Sequence, residues 1–229
     1  VGGTDKMSSD VPVGIYRTYV QLADDEPFTY DNWCKGLTAG RTFHSGGPLI
    51  RLSVDGHGIG DVIPLPGNGG RVEVELEAES ILPIHTLQLV QEGRVVASTE
   101  EADGARRLQL RATVEVSRHS WLAARCGGPG YDQAVNHHDG WRRGIMAHTS
   151  PVYLAVGGDW WMFDQDAAQY MLTLVDGCLE YIRNTSRQHH DLPVDHHHGR
   201  PDHYEYLEAP FRQAREALHR RMHQLGVPH

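Results

Sequence analysis

Asp5 stands in Gly2-Gly3-Thr4-Asp5, shortly before an alternating run at residues 15–22. A carboxylate in a glycine-rich turn beside a core strand is placed to ligate a metal or orient a base. The same residue type also serves an Asx turn or caps a backbone N–H. His44 follows Arg41-Thr42-Phe43 at a second glycine-rich turn, where it can line a site near Asp5. His189-His190 and His196-His197-His198 share a proline-punctuated connector with Asp191, Asp195 and Asp202, a mixture that suits zinc or a similar divalent metal. Catalytic ligands must be held on rigid elements, so that tract reads as an adventitious metal binder. His219 and His223 have the i, i+4 spacing that holds zinc on a helix, but no Glu follows His219 as a metalloprotease motif requires. They read as a surface pair, and His148 as a structural residue opening the last strand.

Two further patterns carry no chemistry. Glu73, Glu75, Glu77 and Glu79 alternate with Val72, Val74, Leu76 and Ala78, which makes them the wet face of a half-buried strand. Pro66-Gly67-Asn68-Gly69-Gly70 would cradle a phosphate only if a helix N-terminus followed, and a strand follows instead. Gly-x-Ser-x-Gly is absent.

The elements that must position these groups are mostly strands. Thr29-Tyr30-Asp31 opens a short helix carrying Trp33, Leu37 and Ala39 and ended by Gly40. From about residue 48 to 158 the apolar period is two, with turns at Asp55-Gly56 and Glu92-Gly93. Residues 127–150 read as an insertion in that sheet. Beyond Gly158 the period becomes helical: Tyr170, Met171, Leu174, Val175, Cys178, Leu179 and Ile182 form one apolar face, and Leu207, Phe211, Ala214, Leu218, Met222 and Leu225 another. The expected fold is mainly β with α: an antiparallel Ig-like β-sandwich at 48–158 and a helical tail with a His-rich connector at 159–229.

Composition narrows the function. The 229 residues carry a net charge of −9, which argues against nucleic acid or an anionic membrane as partner. No apolar run reaches the ~18–20 residues of a membrane span. Three cysteines cannot build a disulfide framework.

Several segments together resemble one family. Gly3-Thr4-Asp5-Lys6-Met7, Val13-Gly14 and Arg17-Thr18-Tyr19-Val20 look like the end of a PHP-type metal-dependent hydrolase barrel. Gly40-Arg41-Thr42-Phe43 and Gly47-Pro48-Leu49 resemble the exit from it. Ser80-Ile81-Leu82-Pro83, Gly93-Arg94-Val95-Val96, Trp121-Leu122-Ala123-Ala124-Arg125 and Ala147-His148-Thr149-Ser150-Pro151 resemble the β-rich C-terminal region of the CehA/McbA-like branch. The resemblance implies that residues 1–47 are the remnant of an α/β barrel and that the chain is the C-terminal portion of a larger bacterial enzyme. That enzyme would hydrolyse an ester, carbamate or amide of a small-molecule substrate with metal-activated water. It would use zinc, manganese or iron, with most ligands upstream of Val1 and none assured here. Asp5 matches the Asp of the family's last ligand motif, with Met7 where its His would stand. Arg17, Arg41 and His44 become candidates for the substrate side of the site. The compartment is open, with the cytoplasm slightly favoured, and the apolar helix faces leave room for a homo-oligomer through the tail. The competing expectation is a non-catalytic sandwich module that binds a sugar, peptide or protein through Trp121, Trp141, Trp160 and Trp161.

Overall fold

The computed structural model describes residues 2–3, 13–129, 134–136, 142–189 and 202–228. Asp5, His137, His138, Trp141 and the 190–201 part of the connector lie outside the described residues. Two compact units are present, residues 1–161 and 162–229. Strands account for 44% of the chain and the described residues hold three α-helices, so the class is mainly β with α.

The first unit holds β1 (Arg17–Val20), α1 (Tyr30–Thr38), β2 (Thr42–Ser45), β3 (Leu49–Val54), β4 (Val62–Leu65), β5 (Gly70–Gln91), β6 (Arg94–Val116), β7 (Ser120–Gly128), β8 (Ala134–Asn136), β9 (Arg142–Thr149) and β10 (Val152–Val156). Helix α1 starts where Thr29 accepts a hydrogen bond from the Asn32 backbone N–H at 3.2 Å, and Gly40 ends it at φ +73°. Asp55-Gly56 and Glu92-Gly93 both place two consecutive residues at positive φ, the turn whose twist matches a two-residue hairpin.

The long hairpin of β5 and β6 organises the sheet. Residues 70–79 of β5 pair with the end of β6, and residues 74–79 also with β3 on the other side. Residues 86–91 pair with β7 and with the start of β6. Register shifts between Glu79 and Ile84, and again between Ile84 and Thr86, separate these halves. Bulges of this kind bend a strand and let a sheet fold over its own face. Accordingly β3 contacts β7 and β9 without pairing to either. Ile50, Val54, Val74, Leu89, Leu122 and Leu154 belong to one buried cluster. The strand order continues β1-β2-β9-β7-β10-β4, and the sheet stays open.

Three expectations about the sheet need correction, and one strand was missed. The sheet is mixed, because β4 runs parallel to β10, with Val62 opposite Tyr153 and Leu65 opposite Val156. Residues 127–150 are not simply an insertion: β9 lies within them and pairs with both β2 and β7. His148 therefore sits on β9 rather than at the start of the last strand. Strand β7 escaped the alternation reading because Ala123, Ala124 and Cys126 give little contrast between wet and dry faces, yet Leu122, Ala124 and Cys126 are fully buried.

The segment expected as a barrel remnant joins this same sheet. Strand β1 pairs antiparallel with β2, Thr18 opposite His44, and β2 pairs antiparallel with β9.

The second unit contains α2 (Gln165–Glu180), a π turn (Tyr181–Thr185), a short 3-10 turn (Ser186–His189) and α3 (His203–Gln224). Asp164 and Asp202 cap α2 and α3 by accepting backbone N–H bonds at 2.6 and 2.8 Å. The single apolar face expected on α2 is two faces. Ala168, Val175 and Leu179 are buried, with Ile182 just beyond the helix, while Tyr170, Met171 and Leu174 are exposed.

Candidate functional site

Cross-strand partners in a sheet share a face, so the register identifies which side chains meet. Thr18 lies opposite His44, His44 opposite His148, His148 opposite Arg125, and Arg125 opposite Gln88. Five polar side chains from β1, β2, β9, β7 and β5 thus form one row. Their sequence neighbours Ser45, Ala147, Thr149, Ala124, Cys126, Leu87 and Leu89 point the other way and are buried. Period-two geometry allows nothing else once one face is apolar.

The row is anchored at several points. Arg125 donates from Nε to Gln88 Oε1 at 2.7 Å. Tyr16 stacks on His44 with ring centres 5.8 Å apart. A Cβ on Gly46 would come within 2.8 Å of the Tyr16 ring, so glycine there makes room for the stack. Gly2 donates its N–H to Thr18 Oγ1 at 2.8 Å, and that hydroxyl donates back to the Gly2 carbonyl at 2.9 Å. Gly2 also packs on the His44 imidazole so closely that a Cβ would lie 2.1 Å from its Cε1.

His44 and His148 form the chemically distinctive pair, with ring centres 5.6 Å apart. Burial of the His44 ring and then the neighbouring His148 hold its pKa below the usual imidazole value, against a hydrogen bond with the Arg17 backbone that raises it. His44 Nδ1 is buried and has no hydrogen-bond partner among the described residues. A neutral imidazole with an unengaged nitrogen is the form that ligates metals.

Imidazoles are of the type that ligates a divalent metal, but His44 Nδ1 is closed off beneath Gly2. They fall short of a catalytic centre, which takes about three protein ligands. Among the described residues no group of three His, Cys, Asp or Glu is arranged to hold a metal ion.

The other candidates are placed apart from the row. Arg17 lies opposite Ser45, one residue out of phase with His44, so its side chain leaves from the other face and extends over the Tyr19 ring at 5.9 Å. Arg41 precedes β2, where its carbonyl accepts the Gln21 N–H at 2.8 Å. Tyr19 stacks on Phe43 at 4.7 Å and forms part of the wall of an open cleft of about 930 Å³ that also takes in Arg51, Glu77 and Arg111. Glu73, Glu75 and Glu79 are exposed and Glu77 is half-buried, and the comb is paired: Arg111 meets Glu75 at 3.1 Å, Arg107 meets Glu79 at 3.3 Å and also Glu77, and Thr113 donates to Glu73 at 2.9 Å.

Tyr16, Thr18, Arg125 and Gln88 were not weighed as site residues from the sequence, and His148 was read as structural. Thr18, Gln88, Arg125 and His148 lie on the polar phase of their strands, which was the only available signal, and Tyr16 just precedes β1. Comparison of the chain with protein-family models and with curated proteins finds no match.

Proposed function

We propose that the chain is the C-terminal part of a metal-dependent hydrolase that cleaves an ester, carbamate or amide bond of a small molecule. On this reading it is inactive without the upstream barrel. Residues 1–47 are the remnant of that barrel, 48–158 an Ig-like sandwich and 159–229 a helical tail. A divalent metal (zinc, manganese or iron) in the intact enzyme lowers the pKa of bound water and polarises the scissile carbonyl.

One observation carries the reading. Gly2, three residues ahead of Asp5 in the sequence, is tied to Thr18 and packed on His44. Asp5 is the metal ligand in this scheme. His44 and His148 line the substrate side, where they orient a polar group and supply or accept a proton.

The test is the reading frame ahead of residue 1. A continuation containing His-x-His and further His and Glu ligands supports the hydrolase, and a start codon adjoining Val1 overturns it. The isolated chain, assayed on aryl esters and carbamates with added zinc, manganese or iron, shows no turnover on this reading.

The binding-module alternative rests on the aromatic edge of the same sheet. Trp160 meets Tyr153 edge-on at 4.6 Å and donates from Nε1 to the Ser120 carbonyl at 3.0 Å. Trp161, about half exposed, lies 5.6 Å from His119. A half-exposed indole beside a fixed one suits a sugar ring or a peptide side chain. Saturable oligosaccharide or peptide binding that Trp161→Ala removes would favour this reading. For the tail, the exposed Tyr170, Leu174, Cys178 and Tyr181 recur at helical spacing and support self-association through α2. No helix among the described residues is long and apolar enough to cross a membrane.

A further inference from the structure

We propose that the open edge of β3 is a strand-addition site for an extended partner peptide with an acidic residue between two apolar ones. Among the described residues β3 pairs with β5 alone. At its end, Val54 donates its N–H to the His57 carbonyl at 3.0 Å and accepts the His57 N–H at 2.8 Å, while Asp55 donates to Glu73 of β5 at 2.9 Å. Backbone groups alternate sides along a strand. Leu49, Arg51 and Ser53 therefore bond toward β5, and Ile50 and Leu52 turn their N–H and C=O to the free edge. Those four groups have no partner among the described residues. The edge opens on the cleft of about 930 Å³. Ile50 and Leu52 have side chains buried in the core, yet both residues line that cleft beside Arg51, so what they present to it is backbone.

The surroundings set the peptide's chemistry. Cross-strand partners share a face, so an added strand sends the residues opposite Ile50 and Leu52 to the core side. There Phe43, also in the cleft wall, packs against the core. The residue between them points outward beside Arg51. In antiparallel addition that outward pair is the non-hydrogen-bonded kind, in which side chains come closer. Arg51 is exposed and has no ion pair among the described residues. The glutamates of the cleft are already engaged, Glu75 by Arg111 at 3.1 Å and Glu77 by Arg107. A carboxylate opposite Arg51 is the complement, and backbone pairing supplies the affinity. The site does not depend on the hydrolase reading.

The test is fluorescence anisotropy of the full chain titrated into a fluorescein-labelled heptapeptide, Ser-Thr-Val-Glu-Val-Thr-Ser. Two companion peptides carry Lys in place of Glu, or N-methyl groups on both valines. Saturable binding is expected for the first peptide and none for the N-methylated one, which has lost the donors facing Ile50 and Leu52. The Lys peptide is expected to bind about three- to tenfold more weakly, as is the Glu peptide on Arg51→Glu. The Lys peptide should in turn bind Arg51→Glu better than it binds the unaltered chain. Circular dichroism checks that Arg51→Glu keeps its fold. Absence of saturable binding at millimolar protein, or equal binding of the N-methylated peptide, overturns strand addition. Indifference to both charge changes overturns the acidic peptide as occupant. A chain that is dimeric in light scattering, becomes monomeric as Arg51→Glu and ignores the peptides would show a second copy on this edge, which also overturns the proposal.

Discussion

Arg183, on the π turn that follows α2, donates from Nε at 3.1 Å and from Nη2 at 3.0 Å to the same Oε2 of Glu208 near the start of α3. Glu208 is almost fully buried, whereas the Arg183 side chain is about half exposed. Arg212 adds a longer contact to the same oxygen at 3.9 Å, and Arg215 meets Asp176 at 2.8 Å. Two charge-assisted bonds thus join the helical elements on either side of the connector. Glu208→Ala is expected to destabilise residues 162–229 by about 1–3 kcal/mol, since the half-exposed guanidinium recovers water when its partner is lost. Urea unfolding followed by circular dichroism measures this, and Glu208→Gln should cost less because it keeps one acceptor.

Gly69 and Gly93 have nearly the same backbone conformation, φ +79° and +81°, in different surroundings. A Cβ at Gly69 would lie 1.9 Å from the Val116 carbonyl oxygen, whereas at Gly93 nothing stands within 4 Å. Gly93→Ala is expected to cost only the left-handed penalty of about 1–2 kcal/mol. Gly69→Ala must in addition displace the end of β6, so it should lower the melting temperature clearly more. Equal shifts in the two variants would contradict this account.

The three thiols differ in access. Cys126 is buried in the sheet core and burial pushes its pKa up to about 12, whereas Cys178 is exposed and Cys34 lies between. Since the thiolate is the reactive form, Cys126 should resist iodoacetamide in the native protein and react only on unfolding. Cys178 should be labelled first. Peptide mass spectrometry across a time course assigns each site.

Protonation of His44 should weaken the fold. Its folded pKa lies below the usual imidazole value, so as pH falls the unfolded chain takes up this proton first. Stability from this residue is therefore complete above about pH 6.5 and declines as pH drops from there to the folded value. In His44→Gln that contribution is gone, and melting temperature should vary less steeply with pH below 6.5 than in the unaltered chain. Parallel curves would refute it.

Leu174 is 44% exposed on α2 in line with Tyr170. Leu174→Glu should shift the chain to its monomer mass in light scattering if the tail mediates association, and leave circular dichroism unchanged. An unaltered chain that is already monomeric at high concentration removes this role for the tail.

Much of the framework was legible in the residues themselves. Thr29 and Gly40 bracket α1, and Asp55-Gly56 and Glu92-Gly93 mark hairpins, because capping and positive φ are local demands that only a few residue types meet. Val72 to Ala78 alternate with glutamates, and their burial follows directly. Other features have no local signature. The parallel pairing of β4 with β10 is a choice of neighbour among strands that look alike one at a time. Strand β7 hides its faces behind alanine and cysteine. Glu208 is charged and yet buried because Arg183, 25 positions away, meets it.

The candidate site divides in the same way. His44 drew notice through its glycine-rich surroundings. His148 was read as structural, because nothing in its own neighbourhood refers to His44, 104 positions away. Arg17 and Arg41 were grouped with His44 through the family resemblance, and strand alternation sends the Arg17 side chain to the opposite face. By itself the sequence determined the strand-rich class, the turn positions, the wet glutamate face and the absence of a disulfide framework, all set by short-range preference and by hydrophobic period. Only the tertiary structure decided which polar phases align, since register is the joint result of core burial on one face and bulges in β5. That alignment turns five scattered residues into one row.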